Sequence, residues 1–156
     1  NEEYGFELKY PGTMQVTDMS TPYFGGFDFG DRDGTNVKMF VKKASVPSSI
    51  NKYLSDFDKS RADSKDRSLL TEVQDVRLIE IDGVDAVRRI ELLGDIKMQV
   101  ETVYFLHGGY FYQISVWVNA IAWQKTFITT GKRPTEVDDA SLRVFENMVS
   151  TFRFTE

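Results

Sequence analysis

The chain lacks cysteine altogether, and this absence excludes several kinds of chemistry. Among its 156 residues there is no Cys and a single His. Without thiolates there can be no disulfide, no cysteine-ligated metal site and no cysteine nucleophile. A cysteine-free protein suits a reducing cytosol and an oxidising cell envelope equally well, so this feature leaves the compartment open.

Long apolar runs and basic clusters are also missing. No apolar stretch approaches the roughly 20 residues that a membrane-spanning helix needs. The net charge is −5, and the basic residues form only pairs such as Lys42-Lys43 and Arg88-Arg89. A protein with this charge repels nucleic acid and anionic membrane surfaces. The sequence therefore predicts no nucleic-acid partner and no transmembrane segment in this chain.

The composition that remains is that of one folded domain. It is 41% hydrophobic and 28% charged, with twelve Phe, seven Tyr and two Trp. These proportions are ordinary for a globular protein, and many aromatic residues are typical of β-rich cores. There is no internal repeat, low-complexity tract or linker, so we predict a single domain over residues 1–156.

Residues 76–118 form the most informative stretch, because they predict an antiparallel meander. Asp82-Gly83 and Gly108-Gly109 are pairs that tight hairpin turns prefer, since such turns need positive φ angles. A turn at Gly108-Gly109 would set Phe105 opposite Tyr112 on one face of the sheet. Tyr104 and Gln113 would then lie opposite each other on the other face.

The rest of the chain completes an α+β pattern. Alternating apolar residues predict strands over residues 4–10, 14–19, 22–31 and 37–43. Gly25-Gly26 indicates either a bulge or a close backbone approach.

A helix is predicted from residue 48, capped by Ser48 or Ser49, to about residue 60. The polar run at residues 58–68 is predicted to fray it into a loop. A loop with partial helix is predicted for residues 119–134 and a closing helix for residues 138–152. We expect one mainly antiparallel sheet, with the two helices free to cover different faces.

Three segments together resemble the PsbP-like family. They are Gly5–Pro11 (GFELKYP), Ile81–Arg88 (IDGVDAVR) and Phe145–Phe154 (FENMVSTFRF), which occur in the same order along the whole chain. That family is named after an extrinsic protein of photosystem II and includes bacterial envelope lipoproteins, and its fold is shared with a nuclear Ran-binding family. The resemblance implies an αβα sandwich and a domain that is typically non-enzymatic, exported and associated with a larger assembly. It implies no catalytic residues, because the family has no universal catalytic motif.

The leading functional hypothesis is therefore a non-catalytic binding or assembly module with a protein or small-ligand partner. We expect an extracytoplasmic ectodomain of lipoprotein type, with a lipid anchor attached upstream of Asn1. One alternative is a small carboxylate-dependent hydrolase or ligand-binding enzyme, which would need a deep pocket with at least two acidic groups. A further alternative is binding of a Ran-type GTPase.

The aromatic residues supply the candidates for a ligand or partner surface. Most aromatic side chains belong to the core, but a few exposed together would form a binding patch. Trp117 falls on the same predicted sheet face as Tyr104, and Trp123 lies in the irregular stretch. We therefore predict that Tyr104, Trp117 and Trp123 contribute to a ligand or partner surface.

No cofactor is expected, with Ca²⁺ as the one candidate. Asp31, Asp33 and Asn36 place oxygen ligands at spaced positions around Gly34, as in the first half of an EF-hand loop. The twelfth position of that loop is Lys42 rather than a bidentate Glu. A hairpin turn favours the same Asp and Gly residues for backbone reasons, so the calcium site is an open alternative.

The remaining polar candidates have structural interpretations. His107 is predicted to be an exposed turn residue, and no motif supports a Ser–His–Asp triad around it. Glu101 is predicted to point toward the apolar layer, where Arg89 or Arg143 would pair with it. Carboxylate pairs for acid–base catalysis could be drawn from a set that any acidic protein offers: Asp82, Asp85, Glu91, Asp95 and Glu101.

Overall fold

The structure, a computed structural model, describes residues 1–32, 34–44, 49–63, 71–94, 98–117 and 139–155. Its strands are β1 (Phe6–Glu7), β2 (Gln15–Asp18), β3 (Gly25–Gly30), β4 (Asn36–Lys43), β5 (Thr71–Ile81), β6 (Val84–Leu93), β7 (Met98–His107), β8 (Tyr110–Trp117) and β9 (Arg153–Phe154). The helices within these ranges are α1 (Ile50–Ala62) and α2 (Asp139–Thr151). Neither of them is long and apolar enough to cross a membrane.

Seven strands form one antiparallel sheet in the order β2-β3-β4-β8-β7-β6-β5. Strands β2–β4 form one series of antiparallel neighbours, and strands β5–β8 form the meander. The two series join into one sheet because β4 pairs with β8. Strands β1 and β9 form a separate two-stranded sheet. The predicted α+β class and the predicted meander are both confirmed, although the meander begins earlier than expected, at Thr71.

The two predicted hairpin turns are present with the predicted geometry. Asp82 and Gly83 have φ angles of 49° and 78°, and Gly108 and Gly109 have φ angles of 56° and 81°. Positive φ at both central residues is the signature of the type I′ turn, whose twist matches that of the flanking strands. The register that these turns impose pairs Phe105 with Tyr112 and Tyr104 with Gln113, as predicted.

One face of the sheet carries the larger core, under α2. Phe105 and Tyr112 stack with ring centroids 5.0 Å apart, and the ring of Phe152 lies 5.0 Å from Phe105 and 5.9 Å from Tyr112. The predicted apolar stripe of α2 supplies Phe145 and Met148 to the same cluster. This closing segment therefore packs on the face that the register assigns to Phe105.

The opposite face carries a smaller core, under α1. Leu54 and Ile50 pack against Val87, Tyr104 and Phe111. Helix α1 begins after its N-cap residue Ser49, one of the two predicted caps, whose side-chain oxygen accepts a hydrogen bond from the backbone nitrogen of Lys52. The two helices thus cover different faces of the sheet, which is the predicted αβα arrangement.

Other element boundaries in the first half of the chain also differ from the predictions, and β3, predicted over residues 22–31, spans only Gly25–Gly30. The strand predicted over residues 4–10 is only two residues long, because its partner β9 has two residues. Helix α1 ends at Ala62, slightly beyond the predicted end near residue 60, and the carboxylate of Asp58 within it accepts hydrogen bonds of 2.8 Å from Arg89. The loop predicted for residues 119–134 lies outside the described residues.

Gly25 allows the first residues of the chain to pack closely on the sheet. A Cβ atom at this position would lie 2.5 Å from Cε2 of Tyr4. The pairing of β3 with β4 is regular through Gly25 and Gly26. Of the two predicted alternatives, the close approach is therefore the correct one.

Candidate functional site

The described residues cover the α1 face of the sheet only in part and leave a groove of about 620 Å³ on it. Its floor comes from β4, β6, β7 and β8, whose side chains share this face because of the strand register. The floor and walls include Phe40, Glu91, Val100, Thr102, Tyr104, Gln113, Ser115 and Trp117. The volume lies in the range of small-molecule sites, roughly 300–1,000 Å³.

One end of the groove combines an indole with an amine. Trp117, at the end of β8, pairs with Val100 of β7 and is partly exposed. The Lys38 ammonium lies 5.7 Å from the Trp117 ring centroid, which is a cation–π distance. The same ammonium is 3.9 Å from Oδ2 of Asp28, so its ion pair with that carboxylate is a loose one.

The other end is built around a buried carboxylate. Glu91 is 2% exposed, and its Oε2 accepts a 2.7 Å hydrogen bond from the hydroxyl of Tyr104. Nη1 of Arg61 lies 3.5 Å from Oε1 of Glu91, which is an ion pair without hydrogen-bond geometry. Within the described part of the chain these two buried atoms make no hydrogen bond. Leaving such an atom unsatisfied costs about 1–3 kcal/mol, so both atoms are suited to meet a ligand or a water molecule.

Three polar side chains across the middle of the floor bind mainly to one another. The hydroxyl of Ser115 accepts 3.1 Å hydrogen bonds from the hydroxyl of Thr102 and from the amide of Gln113. These groups give the floor a narrow polar strip between its apolar parts. Their mutual hydrogen bonds also explain how polar residues can lie in the centre of a sheet.

Burial raises the pKa of the Tyr104 phenol, and the negative charge of Glu91 raises it further. Desolvation disfavours the phenolate, and a neighbouring carboxylate repels it. Tyr104 therefore stays protonated through the physiological range, where it acts as a hydrogen-bond donor to Glu91 rather than as a base.

Of the predicted surface residues, Tyr104 and Trp117 line this same groove. Trp123 lies outside the described residues. The ligand surface itself stays a prediction, because the structure shows where these residues lie and not what they bind.

The sequence interpretation missed both cations of the groove. Lys38 reaches it only because β4 pairs with β8, a contact between distant segments that no local pattern reveals. Arg61 had a usable signal, since it continues the helical spacing of Leu54 and Phe57 by one more turn. The polar composition of residues 58–68 hid that signal.

The candidate calcium residues lie at a different place, on the edge formed by β2 and β3. Asp31 and Asn36 border a concavity of about 350 Å³. Oδ1 of Asp31 accepts a 2.9 Å hydrogen bond from the backbone nitrogen of Thr35, and the amide of Asn36 donates to Asp28. Asp33 lies outside the described residues, and within them no group of three or more metal-ligating side chains occurs. The calcium site stays a prediction.

The prediction for Glu101 was right about its burial and wrong about its partner. Glu101 is buried and pairs with Arg88, which also forms a 3.1 Å ion pair with Glu146 of α2. Arg89 points to the opposite face, where it pairs with Asp58. Strand alternation explains the difference, since neighbouring residues of β6 face opposite ways.

His107, Asp82 and Asp85 lie away from the groove, and Asp95 lies outside the described residues. The His107 ring is exposed at the β7–β8 turn and stacks on Phe154, with ring centroids 3.7 Å apart. Asp82 caps the backbone nitrogen of Phe154 with a 2.9 Å hydrogen bond. These contacts join the hairpins to the closing strand β9.

A second concavity of about 820 Å³ lies beside the same hairpin and the first residues of the chain. Among the described residues, none of the buried polar side-chain atoms without a hydrogen bond lines this concavity, and the hydroxyl of Tyr112 donates a 2.8 Å hydrogen bond to the carbonyl oxygen of Tyr4. Burial raises the pKa of Tyr112 to about 12. The groove on the α1 face is therefore the stronger candidate site, because its buried polar atoms are not satisfied.

Comparison with solved structures shows that the fold is PsbP-like. The solution structure of a cyanobacterial PsbP protein (CyanoP) from Synechocystis sp. PCC 6803 matches with a TM-score of 0.63 and 14% sequence identity, over 99% of this chain and 89% of that one. A crystal structure from Bacteroides thetaiotaomicron matches with a TM-score of 0.55 and 14% identity, over 97% of this chain and 46% of that one. Neither the protein-family models nor the curated proteins include a match. At these identities the likeness establishes the fold alone.

The raised pKa of Tyr104 predicts a loss of stability at alkaline pH. Above about pH 10 tyrosine ionises in the unfolded chain, while folded Tyr104 remains neutral, so the free energy of unfolding falls as the pH rises. Well above pH 10, the free energy of unfolding falls by about 1.4 kcal/mol per pH unit for each such tyrosine. In urea unfolding at pH 9, 10 and 11, we expect Tyr104→Phe to reduce the loss of free energy of unfolding between pH 9 and 11 by about 1.4 kcal/mol.

Tyr23→Phe is the matched control, because Tyr23 is 88% exposed. This variant should keep the alkaline slope of the unsubstituted protein. Identical slopes for Tyr104→Phe and Tyr23→Phe would contradict the burial of a neutral Tyr104.

Proposed function

We propose that the protein is a non-catalytic binding module that holds a small ligand in the groove between α1 and the β4–β8 part of the sheet. The observation that carries this proposal is an open apolar floor next to two buried polar atoms, on Arg61 and Glu91, that make no hydrogen bond within the described residues. A ligand can remove apolar surface from water and satisfy those atoms at the same time.

The chemistry of the groove favours binding over hydrolysis. Among the described residues that line it, Glu91 is the one carboxylate, and it is engaged by Tyr104 and Arg61. Acid–base hydrolysis by paired carboxylates needs a second acidic group in the same pocket. Glu101 cannot supply it, because that side chain lies on the α2 face with Arg88.

The PsbP-like fold supports a role in binding or assembly, as the resemblance of the three sequence segments implied. We further propose that the protein works outside the cytoplasm, as an ectodomain of lipoprotein type. The complete absence of cysteine is compatible with an oxidising compartment.

Amide chemical-shift mapping tests the binding function. The ¹⁵N-labelled protein is titrated with a library of small aromatic and aliphatic compounds of mixed charge. We expect the binders to shift the amides of Val100, Thr102, Ser115 and Trp117. Replacing Gln113 with Trp should fill the groove and weaken the same compounds at least tenfold, because the larger side chain occupies their space.

Leu78→Trp is the control for added bulk, because Leu78 lies on the edge strand β5, is 75% exposed and is outside the groove. It should leave the affinities unchanged. A library without any compound that shifts the groove amides, or with shifts confined to other surfaces, would contradict the proposal.

The proposed compartment has its own test. The full-length protein, produced from its natural gene in its natural host, is located by cell fractionation and by protease accessibility in intact cells. We expect it in the envelope or extracytoplasmic fraction. Recovery in the cytosol, with a start codon directly before Asn1, would contradict the export proposal without affecting the groove.

A further inference from the structure

We propose that the ligand of the groove is an amphipathic organic anion, with an apolar body and one carboxylate or similar headgroup. This inference rests on the proposed binding function and adds the chemical class of the ligand. Three features of the groove carry it: its local charge, the state of the Arg61 guanidinium, and the apolar surface around Trp117.

The groove is locally positive in a protein that is negative overall. Two cations, Lys38 and Arg61, and one carboxylate, Glu91, line it among the described residues. Their charges sum to +1, whereas the whole chain has a net charge of −5. Asp28 offsets Lys38 only in part, since it lies 3.9 Å away and also accepts a hydrogen bond from Asn36. Because apolar walls strengthen local fields, this excess favours an anion inside the groove.

Arg61 has donor capacity that the fold does not use. Its guanidinium lies 4.8 Å from the centroid of the Phe57 ring, which fixes its position at the wall. Its Nη1 atom is buried and makes no hydrogen bond within the described residues, although it faces Oε1 of Glu91 at 3.5 Å. Guanidinium groups bind carboxylates through short, charge-assisted hydrogen bonds. An anionic headgroup at this end would satisfy the orphaned donor.

Glu91 is less suited to recruit a cationic ligand. Its Oε2 atom already accepts the hydroxyl of Tyr104, and its charge faces that of Arg61. A ligand cation would have to approach Arg61 and Lys38, both of which repel it. The carboxylate therefore serves mainly to hold Arg61 and Tyr104 in place.

The body of the ligand should be apolar and preferably aromatic. Trp117, Val100 and Phe40 present apolar surface along the floor. Trp117 is partly exposed and offers a ring on which a planar group can stack. The volume of about 620 Å³ accommodates a molecule the size of a substituted phenyl or short acyl compound.

Three probes of similar size and different charge test the inference: 4-phenylbutyrate, 4-phenylbutanamide and 4-phenylbutylammonium. Binding is read from the indole N–H signal of Trp117 in the ¹⁵N-labelled protein, which has two indoles and keeps Trp123 in place. We expect 4-phenylbutyrate to bind at least tenfold more tightly than the amide, and the ammonium compound to bind most weakly. Raising the salt concentration should reduce the preference for the anion.

Charge-removing variants identify the groups responsible. Lys38→Gln and Arg61→Gln should each weaken 4-phenylbutyrate about fivefold to tenfold and leave the amide unchanged, because only the anion uses these charges. Lys59→Gln is the matched control, since Lys59 lies on α1, is exposed and is outside the groove. Where Arg61→Gln alone fails to fold around an unpaired Glu91, the double variant Arg61→Gln with Glu91→Gln removes the buried charges together.

The outcomes separate this inference from the proposed function. Equal affinities of the three probes at Trp117, or a preference for the ammonium compound, would overturn the anionic ligand and leave the binding module standing. A uniform loss of all three probes in Lys38→Gln would also overturn it, since that pattern indicates a packing role. If none of the probes binds, the anionic ligand is wrong, and library mapping of the groove amides decides the function independently.

Discussion

The register of the meander is the constraint on which the rest of the structure depends. Two type I′ turns, at Asp82-Gly83 and Gly108-Gly109, set the pairing of β5 with β6 and of β7 with β8. Because side chains alternate along a strand, this register sends Phe105 to the α2 face and Tyr104 to the α1 face. A shift of one residue would exchange the two faces, so both the core and the groove follow from the turns.

The unequal covering of the two faces creates the candidate site. Helix α1 connects β4, in the interior of the sheet, with β5 at its edge, and it packs on β6 and β7. The part of this face that carries Phe40 of β4 and the end of β8 with Gln113 and Trp117 is therefore left open among the described elements. The polar cluster of Arg61, Glu91 and Tyr104 lies at the boundary between the covered and open parts, where burial and ligand access meet.

Local patterns in the sequence were sufficient for the elements and for the resemblance to the PsbP-like family. The turn pairs predicted the hairpins, and the alternation around them placed Tyr104 and Trp117 on one face. Local patterns could not predict the pairing of β4 with β8, which brings Lys38 to the groove, because that contact joins segments far apart in the chain. The partner of Glu101 was also out of reach, since the choice between Arg88 and Arg89 depends on the register across two strands.

The position of a small anion bound to the protein tests the proposed groove. Intermolecular nuclear Overhauser effects from the ring protons of 4-phenylbutyrate report which side chains it touches. If the groove binds the anion, we expect contacts to the methyl groups of Val100 and to the indole of Trp117. Contacts instead to Val149 or Phe154, on the α2 side of the sheet, or no contacts to the protein at all, would contradict this proposal.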